Sequence, residues 1–397
     1  MNRAQIILKK GKYDSLQRKH PWVFSGAVKE ILGNPSDGDL VDIFGAKGEY
    51  FGFGHFQKGS ICVRILSFGK GDADVDFFIG RIKQALSFRL KMGYGFSESG
   101  KGNAWRLIFG EADQLSGLIV DFYNGVAVIQ PHSSGFQMNT PVITEALKHV
   151  LGSHLQAVFC KFKDTLQSDD NISDLSGLLY GELPEKLVIS EYGNQFYVDV
   201  AAGQKTGFFL DQRENRKIVS EYSNEKKVLN MFCYSGGFSV SALKGGAAFV
   251  HSVDSSASAV EMAKSNLTLN GYDTDVNTCI VSDAFEYLEK IHNQYDVIIL
   301  DPPAYAKHSD ARHRAVKGYQ RLNTLAIKQV RQGGVIFTYS CSQVVDKRLF
   351  ESTVMSSAII AGRHVRIVQE LTHAPCHAHA ITHPEGKYLK GLMLYVE

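Results

Sequence analysis

The chain has 397 residues, 44% of them apolar and 21% charged, with a formal net charge of +2. That length exceeds one ordinary core, and that composition is the profile of a soluble globular protein of two or three domains. No apolar run is long enough to span a bilayer, the opening MNRAQIILKKGKY has no cleavage-site pattern, and six scattered cysteines show no paired spacing, so a cytoplasmic protein with reduced thiols is expected.

The first 20 residues hold Arg3, Lys9, Lys10, Lys12, Arg18 and Lys19 against the single acid Asp14. Such a stretch is either a solvated face or a phosphate contact, where neutralising a polyanion releases its counterions. Next, DGDLVDIF, EYFGFGHF and SICVRILSF are strand-length runs separated by glycine-containing turns, which predict a small β-barrel over residues 1–70. GKGDAD (Gly69–Asp74) is the linker candidate, followed by a helix in VDFFIGRIKQALSFRLKMGY with apolar residues three and four apart. AWRLIFGEADQLSGLIVDFYNGVAVIQ looks like hairpins in a central α/β domain over 71–190. After GELPEK, LVISEYGNQFYVDV reads as a hairpin turning at Gly193–Asn194.

From Val228 onward, strands and helices alternate through 191–397. KVLNMF, FVHSVD, NTCIVSD, YDVIIL and VIFTYS are the strands, and GYQRLNTLAIKQVRQGG is a helix ending at a glycine pair. KYLKGLMLYVE is a last strand that closes the sheet antiparallel. Continuous apolar strands between amphipathic helices predict a mostly parallel, Rossmann-like sheet covered on both faces.

In such a sheet, ligands sit beyond the carboxyl ends of the strands. The first end carries NMFCYSGGFS, with Asn230, Phe232, Tyr234, Gly236 and Gly237 as candidate cofactor contacts. The next ends carry Asp254, Asp283, Asp301-Pro302-Pro303-Ala304-Tyr305 and Cys341. Each has a bland counterpart: turn chemistry for the glycines, a helix cap for each aspartate, a core thiol for Cys341. Five such features at five successive strand ends outweigh those readings. The glycine turn matches neither G-x-G-x-x-G nor a P-loop, which fits a nucleoside cofactor without phosphate, such as S-adenosylmethionine, and fits a nicotinamide dehydrogenase poorly. Asp254 would hold its ribose and Asp283 its adenine amine. The paired prolines direct carbonyls and the Asp301 carboxylate at one spot, a pocket floor for a planar base on which Tyr305 could stack.

HPWVFSGAV, RLIFGEADQLSGLIVDFYNG, GQKTGFFLDQREN, VLNMFCYSGGFS, ILDPPAYAK, YSCSQ and HPEGKYLKG follow one another along almost the whole chain. Together they resemble the bacterial 23S ribosomal RNA 5-methylcytosine methyltransferase family with an N-terminal PUA domain. The resemblance implies a PUA RNA-binding domain, a central α/β domain and a seven-stranded class I S-adenosylmethionine-dependent methyltransferase domain. It also implies that Lys205, Asp211 and Arg213 line the cofactor pocket, with Asp211 and Arg213 at the amino-acid end, and that Asp301 adjoins both cofactor and base. The expected partner is 23S rRNA, in the large ribosomal subunit or its precursor, met by Pro302, Pro303, Tyr305 and the basic Lys9, Lys10, Arg18 and Lys19. A homodimer is left open, and no membrane contact is expected.

C5 of cytosine is a poor nucleophile toward a methylsulfonium. A thiolate added at C6 makes an enamine with electron density on C5, which suits Cys341 as nucleophile and Asp301 as the group that holds N3 and the amine. The stretch around Asp301 lacks the second cysteine of many RNA 5-methylcytosine enzymes, as does the resembled family, so the base that removes the C5 proton is unnamed. Cys233 sits in the cofactor turn, and Cys62, Cys160 and Cys279 in apolar strand patterns. His373, Cys376, His377, His379 and His383 match no trusted zinc spacing, so no metal is expected. The rivals are an RNA methyltransferase acting on a base nitrogen without Cys341, and a non-catalytic RNA-binding ribosome-assembly factor.

Overall fold

The computed structural model describes residues 3–162, 176–272, 275–306 and 311–397. Lys307 of the ILDPPAYAK stretch lies outside the described residues. The chain makes two compact units: one of Met1–Ile189, Val198–Phe208 and Pro375–Gly386, the other of Ser190–Tyr197, Phe209–Ala374 and Lys387–Glu397. No described helix is long and apolar enough to cross a membrane.

The first unit opens with β1 (Ala4–Leu8), the single turn α1 (Asp14–Gln17), β2 (Trp22–Phe24), β3 (Val28–Leu32), β4 (Leu40–Phe44), β5 (Tyr50–Phe56) and β6 (Ile61–Ser67). These strands form one six-stranded sheet in the order β2-β6-β5-β4-β1-β3. Alternating residues such as Ile6, Leu8, Val41, Ile43, Val63 and Ile65 bury together, as period-two patterning requires. The linker ends in Asp74, whose carboxylate caps α2 (Val75–Lys91) by accepting from the Phe77 amide. The helix then buries Phe78, Ile82, Ala85 and Arg89 along one stripe.

A second sheet in this unit has the order β11-β10-β9-β8-β7. It is built from β7 (Ala104–Phe109), β8 (Leu118–Tyr123), β9 (Val126–Pro131), β10 (Ala157–Cys160) and β11 (Gly177–Gly181), with α3 (Ser134–Met138) and α4 (Thr140–Leu151) between β9 and β10. The expected hairpins are the antiparallel pairs β7–β8 and β8–β9.

Strands β12 (Val188–Glu191) and β13 (Asn194–Tyr197) pair as a hairpin. Its turn is Tyr192–Gly193, one residue earlier than expected, because both take positive φ (49° and 76°), as a two-residue hairpin turn demands. The second unit continues with α5 (Arg213–Glu221), β14 (Lys227–Met231), α6 (Gly237–Lys244), β15 (Phe249–Asp254), α7 (Ala257–Leu269), β16 (Asn277–Val281) and α8 (Ala284–Lys290). It ends with β17 (Tyr295–Leu300), α9 (Arg312–Gln329), β18 (Val330–Ser340), α10 (Lys347–Ala361), β19 (Val365–Leu371) and β20 (Lys390–Val396).

Their sheet has seven strands in the order β16-β15-β14-β17-β18-β20-β19, parallel from β16 to β18, with β20 antiparallel to both neighbours. The last strand therefore lies inside the sheet, and β19 forms the edge. The glycine pair Gly333–Gly334 does not end α9: the helix stops at Gln329 and β18 passes through the pair, with a register shift against β17.

One buried ionic group ties the β12–β13 hairpin to α5. Glu191 accepts from Arg216 at 2.6 and 2.7 Å and from Arg213 at 3.1 Å, and all three residues are almost wholly buried. Burial pushes the Glu191 carboxyl up, but the two guanidiniums outweigh it and leave it below the ordinary glutamate range. Its stabilisation is thus present above that range and is lost as pH falls below it. Glu191→Ala leaves two buried arginines uncompensated and should cost about 3 kcal/mol in urea unfolding.

Candidate functional site

All parallel strands of the second unit deliver their carboxyl ends to one edge. Beyond β14 the chain turns sharply through Phe232, Tyr234 and Gly236, at φ 58°, 46° and 77°. The Tyr234 amide donates to Asp254 Oδ2 at 3.0 Å, and the Ser256 amide to Asp254 Oδ1 at 2.9 Å, so the end of β15 braces the turn. A Cβ on Gly236 would lie 3.0 Å from Ala263 Cβ, which fixes the need for glycine there by contact as well as by φ. Asn230 is fully buried and donates to Ser239 Oγ at 2.8 Å, a bond that joins strand to helix beneath the turn.

A second cluster gathers Asp211, Gln212, Asp301, Cys341, Tyr388 and Lys390. Gln212 Nε2 donates to Asp301 Oδ1 at 3.0 Å. Burial, then the nearby Asp211 charge, push the Asp301 carboxyl up to about 7, although Gln212 and Arg216 pull it down. The Tyr388 hydroxyl donates to Asp211 Oδ2, while the buried Asp211 Oδ1 has no hydrogen-bond partner. Cys341 is half-buried, with Sγ 4.0 Å from the Pro302 carbonyl oxygen. Burial, Asp301 and Asp211 push its thiol up to about 11, with Lys390 acting the other way. The Phe209 ring meets the Tyr234 ring edge-on at 5.2 Å, so this cluster adjoins the β14 turn.

Other expected site residues stand differently. Asp283 is exposed and caps α8, accepting from the Phe285 and Glu286 amides through Oδ1. Arg213 is fully buried and bonded to Glu191, which makes it a tie between α5 and the hairpin. Lys205, at φ 52°, belongs to the first unit, and Asp211 and Arg213 to the second. Pro302 is buried and Pro303 exposed. The Tyr305 ring is half-buried: it packs 4.8 Å from the Tyr319 ring and against Gly318, with its hydroxyl buried. Lys9, Lys10, Arg18 and Lys19 are all exposed, with Lys9 reaching the Gly26 carbonyl and Lys19 lying over the Phe68 ring.

Sequence reasoning assigned no role to Gln212, Tyr388 or Lys390, although each lies inside a quoted motif. The one legible signal was a lysine opening an otherwise apolar strand. Among the described residues, His20, His383 and Glu385 form the one trio with metal-ligand spacing. His20 Nδ1 accepts from the Trp22 amide, so its hydrogen sits on Nε2 and faces Glu385, an arrangement of a histidine–glutamate pair rather than a metal ligand.

Because Gln212 is the side-chain donor to Asp301, Gln212→Leu should move that carboxyl above 7. A carbon-13 carboxyl titration reads the shift, and an unchanged or lowered midpoint would contradict it.

Comparison with known proteins fits this edge. Residues 101–371 match the S-adenosylmethionine-dependent methyltransferase family model, and residues 6–68 match a PUA-like domain. The ribosomal RNA large subunit methyltransferase I of Aeromonas hydrophila is 39% identical over 98% of this chain and 99% of its own. That of Vibrio cholerae is 37% identical over 97% and 98%. A solved S-adenosylmethionine-dependent methyltransferase from Streptococcus mutans shares the fold at a TM-score of 0.83 with 21% identity, each chain covered in full. A methyltransferase solved in complex with S-adenosylhomocysteine does so at 0.84 with 22% identity, again in full. With its own strand-end site and full-length relatives, the chain belongs to the ribosomal RNA large subunit methyltransferase I family, S-adenosylmethionine-dependent enzymes with a PUA-like domain ahead of the methyltransferase domain.

Proposed function

We propose that the protein forms 5-methylcytosine in 23S ribosomal RNA through a covalent bond between Cys341 and C6 of the target base. The observation that carries this is the half-buried Cys341 thiol at the end of β18, in one cluster with a raised Asp301 carboxyl. A methyl transfer to a base nitrogen has no use for that thiol.

S-adenosylmethionine supplies an electrophilic methyl group when bound. The residues present suit it. The turn from Phe232 to Gly237 is tight and carries Gly236 and Gly237, Asp254 stands at the strand end suited to ribose hydroxyls, and the partnerless Asp211 Oδ1 is an acceptor suited to an ammonium.

The target base leaves its helix to reach this edge, as any base does that reacts at a ring atom. Cys341 Sγ adds to C6, and the electrons of the C5–C6 double bond move toward N3. Asp301, raised to about 7, is partly protonated near neutral pH and gives its proton to N3 as charge gathers there. C5 then takes the methyl group, and Asp301 takes the N3 proton back. The C5 proton passes to solvent, its bonding pair restores the C5–C6 double bond, and the C6–S bond breaks with its pair on sulfur. The exposed Lys9, Lys10, Arg18 and Lys19 meet RNA phosphates, which places the substrate without reading its sequence.

Cys341→Ala should reduce methylation of 23S rRNA from cells lacking the protein by at least about a thousandfold, while leaving S-adenosylmethionine binding by calorimetry within about threefold. Methylation that persists in the variant, at any base position, would remove the thiol from the reaction.

A further inference from the structure

Lys390 opens β20, and its Cα pairs with that of Ser340, the residue before Cys341. Lysine is seldom buried, yet Lys390 is only 8% exposed. Its ammonium donates to the Ser342 carbonyl at 2.7 Å and to the Tyr388 carbonyl at 2.7 Å. Those bonds tie the nitrogen to the backbone one residue beyond the thiol, and they use two of its three hydrogens. The described residues offer the third hydrogen no further hydrogen bond.

The surrounding charges are few. Asp301, Asp211 and Lys390 act on Cys341, and Tyr319 also faces it. Cys341 and Asp346 act on Lys390. Among the described residues, Lys390 is therefore the one cation acting on a thiol that faces two carboxylates. A thiolate formed there alone would be a third negative charge in a buried place.

We propose that Lys390 is the proton acceptor and counter-cation of Cys341. This rests on Cys341 being the nucleophile. As the Sγ–C6 bond forms, the S–H bond breaks and its proton joins the neutral Lys390 amine, so the pair gains one positive charge while the electron pair passes into the ring, where the Asp301 proton meets it at N3. When the C6–S bond later breaks, the ammonium returns that proton to sulfur. Burial lowers Lys390 to about 8, despite Cys341 and Asp346 pulling it up, which keeps the amine accessible near neutral pH. The thiol at about 11 keeps its proton until a base arrives.

Two readouts test the assignment. The first is covalent capture of 23S rRNA transcribed with 5-fluorocytidine, where the adduct accumulates. Lys390→Met should slow capture at least about thirtyfold at pH 7.5 with RNA affinity within about threefold, because it removes proton transfer and not binding. The second is Cys341 alkylation by iodoacetamide in the protein alone, followed by mass spectrometry across pH. Lys390→Met should move its midpoint upward, and Lys390→Arg should restore the midpoint but not the capture rate, since arginine keeps its proton. Capture and alkylation both unchanged in Lys390→Met would overturn the inference while leaving the nucleophile intact. A wild-type protein that captures no RNA would overturn the reading of Cys341 itself. Should Lys390→Met unfold, the wild-type capture rate decides: a limb rising through about pH 8 supports the assignment, and a flat profile overturns it.

Discussion

Two carboxylates held close together at one buried edge govern the chemistry of the second unit. Burial raises the cost of ionising Asp301, and the Asp211 charge adds to that cost. The protein answers with donors: Gln212 bonds Asp301, Tyr388 bonds Asp211, and Arg216 acts on Asp301 through its charge. A carboxyl left near neutrality is the result, able to give a proton and take it back. The same negative surroundings oppose ionisation of Cys341, and Lys390 acts the other way.

Holding such a cluster requires a stiff support, and the support lies one layer back. Arg216 bonds Glu191 and the Phe209 carbonyl, and so links the hairpin, α5 and the segment that leads into Asp211. Asn215 bonds Gln212 and the Thr372 carbonyl, which fixes the side chain that reaches Asp301. Removing any one of these leaves a buried polar group without its partner, so the network acts as a unit. Rigid placement of acid and thiol is what a covalent addition to a flat base needs.

Much of this was legible in the residues. Strand–helix alternation after Val228, the aspartates at strand ends and the DPPAY turn gave the sheet and its active edge, because a period and a chain order are local properties. The edge position of β19 was missed, since VRIVQEL is exposed over most of its length and lacks a buried pattern. The place of β20 between β18 and β19 was missed as well, because pairing partners far apart in sequence leave no mark on either strand. Arg213 and Tyr305 sit in motifs that suggest ligand contact, yet packing turned one to Glu191 and the other to Tyr319. Asp283, weighed as the acid for the adenine amine or as a cap, caps α8 through Oδ1.

The sequence by itself determined which residue types stand at which strand ends, and hence that an acid, a thiol and a glycine turn would share one edge. Parallel strands end on the same side whatever their neighbours do, so chain order suffices for that much. Tertiary structure alone decided the protonation chemistry. The raised Asp301, the partnerless Asp211 oxygen and the buried Lys390 across from Cys341 depend on burial and on charges that come from distant parts of the chain. Ionisation responds to solvent exclusion and to separation in space, and neither is written in the spacing of residues along a chain.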